Sequence, residues 1–233
     1  MTQLSFNFDI NNQEIDDELI ICQSNLKIFQ FLDQYRLKNN ILPNIICLIG
    51  AKHSGKTSFL NLWKSQFNAL DVSNILISEL NNYINPDSFY YLDNLCQSSN
   101  EEFLFHLINI VKEKKAFLLL SSSKKLLDLN WGLEDLKSRI KNIHQLEIEN
   151  PDDDLIKILL TKYFSQRQLK IDYNIINYIA SNVTRDFDDI FRMAKLIEDH
   201  CFKSNKKITI SMIKYLIKPK NSNESEFTRP LHN

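Results

Sequence analysis

Hydrophobic residues along the chain follow two different patterns, and the change between them falls near residue 150. Between residues 44 and 148, short uninterrupted apolar runs alternate with segments whose apolar residues recur every three or four positions. Such runs are typical of buried parallel strands, and the spacing between them is typical of helices. From Pro151 onwards the helical spacing continues without a strand run. The pattern predicts an α/β fold, a parallel-sheet domain followed by a small all-helical lid domain.

These patterns place the predicted elements and domains. Strands are predicted at 44–49, 75–77, 89–92, 116–120 and 144–148, and helices at 25–37, 59–67, 101–115, 133–140, 152–165, 173–182, 186–203 and 210–217. The predicted units are an N-terminal peptide at 1–12, the sheet domain at 13–150, the lid at 151–218 and a tail at 219–233. The tail is polar, and we expect it to be disordered.

One motif combines a predicted strand, a turn and a predicted helix. Residues 50–57 read G-x-x-x-x-G-K-[ST], the phosphate-binding P-loop. Backbone N–H groups of such a loop surround a phosphate at the positive end of the following helix. Two of the three glycines in the chain occupy the two fixed positions. The predicted nucleotide-binding residues are Gly50, Ala51, Lys52, His53, Ser54, Gly55, Lys56, Thr57 and Ser58, with Asp93 added from a later strand.

An acidic residue follows the apolar run Phe89–Leu92. Asp93 is predicted to act as the Walker B carboxylate, and the Thr57 hydroxyl and Asp93 together would bind Mg²⁺. The alternative is an ordinary strand that ends in an Asp turn. Asn94 stands where many ATPases have a second acid, and because an amide cannot accept a proton we expect slow hydrolysis. At the tip of the next strand, Ser121–Ser123 supply either a sensor of the γ-phosphate or a simple cap.

The N-terminal stretch has its own alternation. If it is extended, Leu4, Phe6 and Phe8 share one face. This face would pack either on the protein's own sheet edge or in a pocket of a partner. On the pattern alone, the intramolecular arrangement is favoured.

Charge and cysteine content narrow the class of protein. The formal net charge is −1, which argues against binding to nucleic acid mainly through electrostatics, although a local basic patch remains compatible with it. The four cysteines form no C-x-x-C pair, which favours reduced thiols over disulfides or zinc. No apolar run reaches membrane-spanning length, so we expect a soluble, cytoplasmic protein.

From about residue 3 to 217 the chain resembles the DnaA-like AAA+ ATPases, and among them the Hda subfamily, the regulatory inactivators of DnaA. The resemblance rests on the motifs GAKHSGKT, YYLDN, EEFLFHLINIVKEKKAFLLLSSS, LEDLKSRI and KKITISMIKYLI. Hda-like proteins also begin with a sliding-clamp-binding peptide, Q-L-x-L-x-L/F. The stretch Gln3–Phe8 is similar to it, with Phe6 in place of the usual leucine. The resemblance therefore favours the DNA polymerase III sliding clamp (the β subunit) as the partner of Gln3, Leu4, Ser5, Phe6 and Phe8.

The resemblance implies a regulatory function in chromosome replication. A protein of this subfamily binds ADP or ATP with Mg²⁺, is tethered to the clamp on DNA, and promotes hydrolysis of ATP bound to DnaA. Arg139 matches the arginine-finger position, which acts in trans on the nucleotide of DnaA. The resemblance also implies a replisome-associated location and leaves homo-oligomerisation open.

The sequence departs from the family pattern at one further position. The sensor-2 arginine of the family falls at about Asp188, and Arg185 or Arg192 would have to replace it from one helical turn away. A carboxylate repels a phosphate. Together with Asn94, this predicts a protein that holds nucleotide but has no strong ATPase activity of its own.

Three other functions are consistent with parts of the pattern. An active AAA+ ATPase of the helicase-loader type would share the P-loop and Asp93, but Asn94 and the absence of a basic face count against it. A small-molecule kinase would need an arginine-rich lid. An interaction protein with a vestigial P-loop would not need Lys56 and Thr57.

Overall fold

The computed structural model describes residues 19–37, 42–96, 99–204 and 207–217 of the 233-residue chain. The predicted clamp-binding peptide, with Gln3, Leu4, Ser5, Phe6 and Phe8, and the predicted tail lie outside the described residues. Contacts group the chain into two compact units, the first ending at Asn150 and the second beginning at Pro151. Each unit is described by itself.

A five-stranded parallel sheet forms the centre of the first unit, in the order β2-β3-β4-β1-β5. Its strands are β1 Ile45–Ile49, β2 Leu70–Asp71, β3 Phe89–Leu95, β4 Phe117–Ser122 and β5 His144–Glu147. Its helices are α1 Leu26–Asp33, α2 Lys56–Phe67, α3 Leu80–Tyr83, α4 Glu101–Glu113 and α5 Glu134–Ile140. The predicted α/β fold with a parallel sheet is confirmed.

Successive side chains of the central strand point to opposite faces of the sheet, and both faces are covered. Ile45, Cys47 and Ile49 pack in a cluster with α4 and α5, whereas Ile46 and Leu48 pack with α1 and α2. All five residues of β1 are buried. This double coverage explains why β1 reads as a continuous apolar run rather than an alternating one.

The predicted strand at 75–77 is wrong. The edge strand is Leu70–Asp71, which pairs with Tyr90 and Tyr91 of β3. Helix α2 ends at Asn68 in the left-handed conformation (φ 52°), and the chain enters the edge strand at once. Both residues of β2 are exposed and so carry no burial signal, while Ile77 begins a 3₁₀ turn. An apolar triplet here reflects packing of a turn rather than a strand.

The second unit contains four helices among its described residues, around one apolar cluster. They are α6 Asp153–Gln166, α7 Tyr173–Ala180, α8 Phe187–Ser204 and α9 Ile210–Ile217. Asp152 caps α6 by accepting a hydrogen bond from the Leu155 N–H at 2.8 Å, as expected for an Asp at a helix N-terminus. In the described part of the chain, no helix has the length and apolar character needed to cross a membrane.

A buried carboxylate joins α6 to α8. Glu198 is 7% exposed and accepts hydrogen bonds from the Tyr163 hydroxyl at 2.7 Å and from Lys195 Nζ at 3.1 Å. Arg167 Nε lies 3.2 Å from it, and the Arg167 guanidinium covers the Tyr163 ring at 3.6 Å. The hydrogen bond from Tyr163, followed by those groups, holds the pKa of Glu198 below its usual value against the opposing effect of burial.

We expect Glu198→Gln to lower the free energy of unfolding of the helical unit by about 1–3 kcal/mol, since it leaves buried donors without their acceptor. Because the folded-state pKa is lowered, the carboxylate stabilises the fold above its unfolded pKa of about 4.3, and this stabilisation is lost as the pH falls through the folded pKa. Urea denaturation followed by circular dichroism between pH 7 and pH 3 measures both effects.

Asp199→Asn is the matched control for this prediction. Asp199 shares Lys195 at 3.1 Å, but its side chain is 46% exposed, and exposed pairs contribute about 0–1 kcal/mol. Equal losses in the two variants would contradict the role assigned to burial at Glu198.

Candidate nucleotide-binding site

The P-loop lies at the carboxyl end of β1, where the chain turns into α2. The Gly50 N–H donates to the Ser122 carbonyl at 3.1 Å, and the Ile148 N–H donates to the Ile49 carbonyl at 2.7 Å. The loop therefore begins between the ends of β4 and β5, both of which flank β1. Helix α2 begins at Lys56, so its N-terminal N–H groups and the positive end of its dipole border the loop.

The two motif glycines are required for different physical reasons. A Cβ on Gly50 would lie 2.4 Å from Ser54 Oγ and 3.2 Å from Ile148 Cβ, so the Ser54 side chain occupies the place of that methyl group. Gly55 has open space around it but adopts φ 91°, which L-residues with side chains rarely adopt. His53 is also left-handed, at φ 63°. The loop is therefore preshaped through steric contact at Gly50 and backbone conformation at Gly55.

The amino group of Lys56 faces the loop itself. Lys56 Nζ donates to the Gly50 carbonyl at 2.8 Å and to the Ala51 carbonyl at 2.7 Å. Its charge thus lies over the concave side of the loop, where a phosphate group would be surrounded by N–H groups. Ser54 Oγ is buried and has no hydrogen-bond partner among the described residues, so one polar atom at the base of the loop remains unsatisfied. Both observations fit an anion-binding loop.

Asp93 and Thr57 meet across the sheet edge. The Thr57 hydroxyl donates to Asp93 Oδ2 at 3.3 Å, joining the start of α2 to β3. The Ser121 hydroxyl, at the end of β4, donates to Asp93 Oδ1. The Ser121 side chain is fully buried, so it fixes the direction of the Asp93 carboxylate from below. Sequence reasoning considered Ser121 as a sensor or a cap, whereas the structure places it as the support of Asp93.

The backbone around Asp93 is irregular. Leu92 pairs with Leu120 and Leu95 with Ser122, so two residues of β3 stand opposite one residue of β4. This is a β-bulge, a device that redirects a side chain at the edge of a site. Asn94 adopts φ 59°, and its N–H donates to Ser121 Oγ at 2.9 Å. Asn tolerates the left-handed conformation better than most residues, which gives Asn94 a backbone role that its sequence position did not reveal.

The residues present fit a bound Mg²⁺. A hydroxyl and a carboxylate oxygen lie together beside the loop, and Mg²⁺ prefers oxygen ligands, of which the protein often supplies only one or two. Within the described ranges, no group of three or more His, Cys, Asp or Glu side chains forms a metal site. This is consistent with a cation held mainly by phosphate and water. Thr57 and Asp93 would bind it, and its charge would neutralise phosphate oxygens.

The remaining predicted loop residues accompany these groups. Ala51, Lys52 and His53 form the outer part of the turn, and the Ser54 N–H donates to the Ala51 carbonyl at 3.2 Å. Ser58 lies in the first turn of α2. The structure thus brings the whole predicted loop together with Asp93. It adds Ser121, which no local motif would have revealed, because the contact joins residues of two different strands.

Arg139 lies in α5, away from this set of contacts. The side chain is exposed and makes no hydrogen bond or ion pair with any residue that the structure describes. Burial, and then the charge of Arg139, lower the pKa of Lys112 on α4, so these two cations lie close enough to repel each other. A cation held beside another cation, without a neutralising acid among the described residues, favours an anion supplied from outside.

The residues considered for sensor 2 belong to the second unit. Arg185 pairs with Asp153 at 3.1 Å and Arg192 pairs with Asp189, while Asp188 lies in the first turn of α8 and is exposed. Both arginines therefore already have carboxylate partners within their own unit. This arrangement keeps the sequence-based expectation of weak hydrolysis as a prediction.

The parallel sheet, the P-loop at the end of β1, and the four-helix unit after residue 150 define the fold of an AAA+ P-loop protein. Among proteins of known sequence, similarity is found to the chromosomal replication initiator protein DnaA. The DnaA of Buchnera aphidicola subsp. Cinara cedri is 26% identical over 92% of this chain and 55% of its own length. The DnaA of Lachnoclostridium phytofermentans is 31% identical over 40% of this chain and 20% of its own. The chain thus spans about half or less of the DnaA proteins it matches.

Solved structures show the same fold. Domain III of DnaA from Thermotoga maritima superposes with a TM-score of 0.64 at 15% identity, covering 88% of this chain and 98% of that domain. RuvB from Thermotoga maritima gives 0.59 at 16% identity, covering 82% of this chain and 66% of RuvB. No model of a known protein family matches the sequence. The similarity is therefore to the DnaA-like AAA+ domain.

Proposed function

We propose that this chain is a nucleotide-bound regulator of replication initiation of the Hda type, which promotes hydrolysis of ATP held by DnaA. The observation that carries the proposal is Arg139: it lies at the arginine-finger position of the resemblance, is exposed on a short helix, and makes no hydrogen bond or ion pair with the described residues. Similarity to the DnaA-like AAA+ domain over 92% of the chain supports the setting.

The chemistry follows from the guanidinium group. Its planar array of donors matches phosphate oxygens, and its charge is retained at any physiological pH. Placed against the nucleotide of a DnaA molecule, Arg139 would stabilise the charge that develops on the transferring phosphoryl group. Lys112 adds a second positive charge on the same side. DnaA left with ADP would then be inactive for initiation.

The protein's own nucleotide has a structural function in this proposal. Lys56, Thr57 and Asp93 bind ADP or ATP with Mg²⁺ and hold the loop in one shape. Asn94 supplies no general base, so the protein keeps its nucleotide rather than turning it over. The nucleotide-bound state would present α5 to DnaA in a defined orientation.

The N-terminal peptide tethers the protein to the DNA polymerase III sliding clamp, and so to DNA in the cytoplasm without direct strong binding to nucleic acid. A short peptide binds weakly on its own. Attachment to the clamp nevertheless raises the effective concentration near DnaA to about the millimolar range for a short flexible connection. A second, weak contact between α5 and DnaA is then sufficient.

The first test is binding to the purified sliding clamp. We expect the wild-type protein to bind, and the Gln3→Ala/Leu4→Ala variant to lose binding, because the glutamine and the first apolar residue of the peptide are removed together. Surface plasmon resonance with immobilised clamp measures the affinity.

Asn11→Ala/Asn12→Ala is the matched control, since it alters two neighbouring polar residues outside the Q-L-x-L-x-F pattern. It should bind like wild type. Absence of wild-type binding would contradict the tethered mechanism, and binding that survives in the Gln3→Ala/Leu4→Ala variant would assign the contact to another surface.

A second candidate function is an active AAA+ ATPase of the helicase-loader type. It is favoured by the complete set of Lys56, Thr57 and Asp93 in contact geometry. Turnover of ATP by the isolated protein at a rate that Asp93→Asn abolishes would support this function over the regulatory one.

A further inference from the structure

Helix α5, which carries Arg139, is too short to be stable alone. It has seven residues, Glu134–Ile140, and isolated helices below about 12–15 residues are marginal in water. Its N-cap residue, Leu133, makes no side-chain capping hydrogen bond. The orientation of the helix must therefore be set by contacts with the rest of the unit.

Two buried side chains hold one face of α5. Leu136 is fully buried and Ile140 is 2% exposed, and both belong to the cluster that covers one face of the sheet. They decide which face of the helix points inward. Two apolar contacts on one face still permit the helix to tilt about the line that joins them, so the chain entering the helix needs a separate anchor.

Glu101 supplies this anchor. It is the first residue of α4, and its two carboxylate oxygens accept hydrogen bonds from consecutive backbone N–H groups. Gly132 N lies 2.8 Å from Oε1 and Leu133 N lies 2.7 Å from Oε2. One side chain of α4 thus holds the two residues that immediately precede α5, across 31 positions of the sequence.

Charge strengthens this contact. Hydrogen bonds from backbone N–H groups to an ionised carboxylate are stronger than neutral ones. The N–H groups of Gly132 and then Leu133 hold the pKa of Glu101 below its usual value, and the charge of Lys137 acts in the same direction. The carboxylate also lies in the first turn of α4, where the helix dipole favours a negative charge.

Helix α4 is a rigid support for such an anchor. Asn100 caps its N-terminus by accepting from the Phe103 N–H at 3.0 Å. Leu104, Leu107 and Ile108 along the helix are buried in the same cluster as Leu136. The same helix follows β3, so Glu101 stands eight positions after Asp93 in the sequence. The anchor of α5 therefore belongs to the same part of the fold as the nucleotide site.

We propose that Glu101 is a positioning residue for Arg139: by holding the N–H groups of Gly132 and Leu133, it sets the orientation of α5 and directs the guanidinium at the nucleotide of the partner. This inference rests on the proposed function. Glu101 does not touch the nucleotide, and its effect is transmitted only through the backbone at the start of α5.

The contact itself can be tested without any partner. In ¹H–¹⁵N NMR spectra of the full chain, the amide signals of Gly132 and Leu133 should shift with pH as Glu101 titrates, with a midpoint below about 4.3. Glu101→Gln should abolish this titration and increase amide hydrogen exchange at Leu133, since an amide group offers only one acceptor oxygen. Glu102→Gln removes the neighbouring, exposed carboxylate and should change neither signal.

The functional test measures stimulation of ATP hydrolysis by DnaA in the presence of clamp on DNA. A displacement of about 1 Å in a reacting group can lower a rate by about 100-fold, so we expect Glu101→Gln to lower the maximal stimulated rate by roughly 10- to 100-fold. The protein concentration giving half-maximal stimulation should stay within about twofold, because docking surfaces are unchanged. In an Arg139→Ala background, Glu101→Gln should have no further effect.

Each outcome decides one of the two proposals. If Arg139→Ala lowers stimulation and Glu101→Gln keeps the wild-type maximal rate, the positioning role is overturned while the proposed function stands. An effect of Glu101→Gln that adds to that of Arg139→Ala would also overturn it, since the residue would then act by another route. If the wild-type protein does not stimulate DnaA, the proposed function fails and the positioning role fails with it.

Discussion

Arg139→Ala should reduce the stimulation of DnaA-bound ATP hydrolysis by roughly 10³–10⁵-fold, the effect of removing an arginine finger in other phosphoryl-transfer systems. This corresponds to about 4–7 kcal/mol of transition-state stabilisation. The expected loss is large because the guanidinium interacts with charge that develops only in the transition state. Binding of nucleotide and clamp by the variant should be unchanged, since Arg139 is exposed and bonds to no described residue. Phosphate release measured with DnaA–ATP, clamp and DNA checks the prediction.

Two further variants separate geometry from charge. Lys141→Ala removes an exposed positive charge two residues away and should leave the stimulated rate within about threefold of wild type, because exposed charges at this distance are largely screened. Arg139→Lys keeps the charge but loses the bidentate array of donors, so it should recover only part of the rate. If Arg139→Ala stimulates as well as wild type, the arginine-finger role is contradicted and another cation must be sought.

Lys56→Ala should weaken the binding of ADP and ATP by about 10- to 150-fold, which corresponds to the loss of charged hydrogen bonds worth about 1.5–3 kcal/mol. The physical reason is the position of the amino group over the loop, where it bonds to the Gly50 and Ala51 carbonyls at 2.8 and 2.7 Å. Removal of this group also removes the positive charge that a phosphate would meet. Isothermal titration calorimetry with each nucleotide and Mg²⁺ measures the change.

Lys64→Ala is the matched control for this variant, because it removes the same charge from the exposed surface of the same helix. Its nucleotide affinity should equal that of wild type. Equal affinities of Lys56→Ala and wild type would indicate a vestigial P-loop and would favour the interaction protein that needs no nucleotide.

Local sequence was sufficient for the P-loop because its requirements are local. Gly55 needs a left-handed conformation, Gly50 leaves room for Ser54 only four positions away, and Lys56 reaches back five and six positions. The buried strand before the loop was also readable, because a strand covered on both faces must be apolar at every position. For the same reason, the exposed edge strand Leu70–Asp71 was missed and the turn at 75–77 was taken for a strand.

The support of Asp93 could not be read from the sequence. The bulge at Asp93 and Asn94 depends on the pairing of β3 with β4, and Ser121 reaches Asp93 across 28 positions. A serine at the end of a strand is equally consistent with a cap, a turn or a sensor. Only the register of the two strands shows which atom it contacts.

The sequence by itself determined the α/β class, the change to helices near residue 150, and the residues of the phosphate-binding loop, since each depends on periodicity or on neighbours within a few positions. The tertiary structure decided which strand forms the sheet edge, how Thr57 and Ser121 hold Asp93, and how Glu101 anchors the helix of Arg139. Those contacts join residues that are far apart in the chain. Their geometry arises only when the sheet and its helices pack, because hydrogen bonds form over about 3 Å and a local pattern does not specify which distant groups meet at that distance.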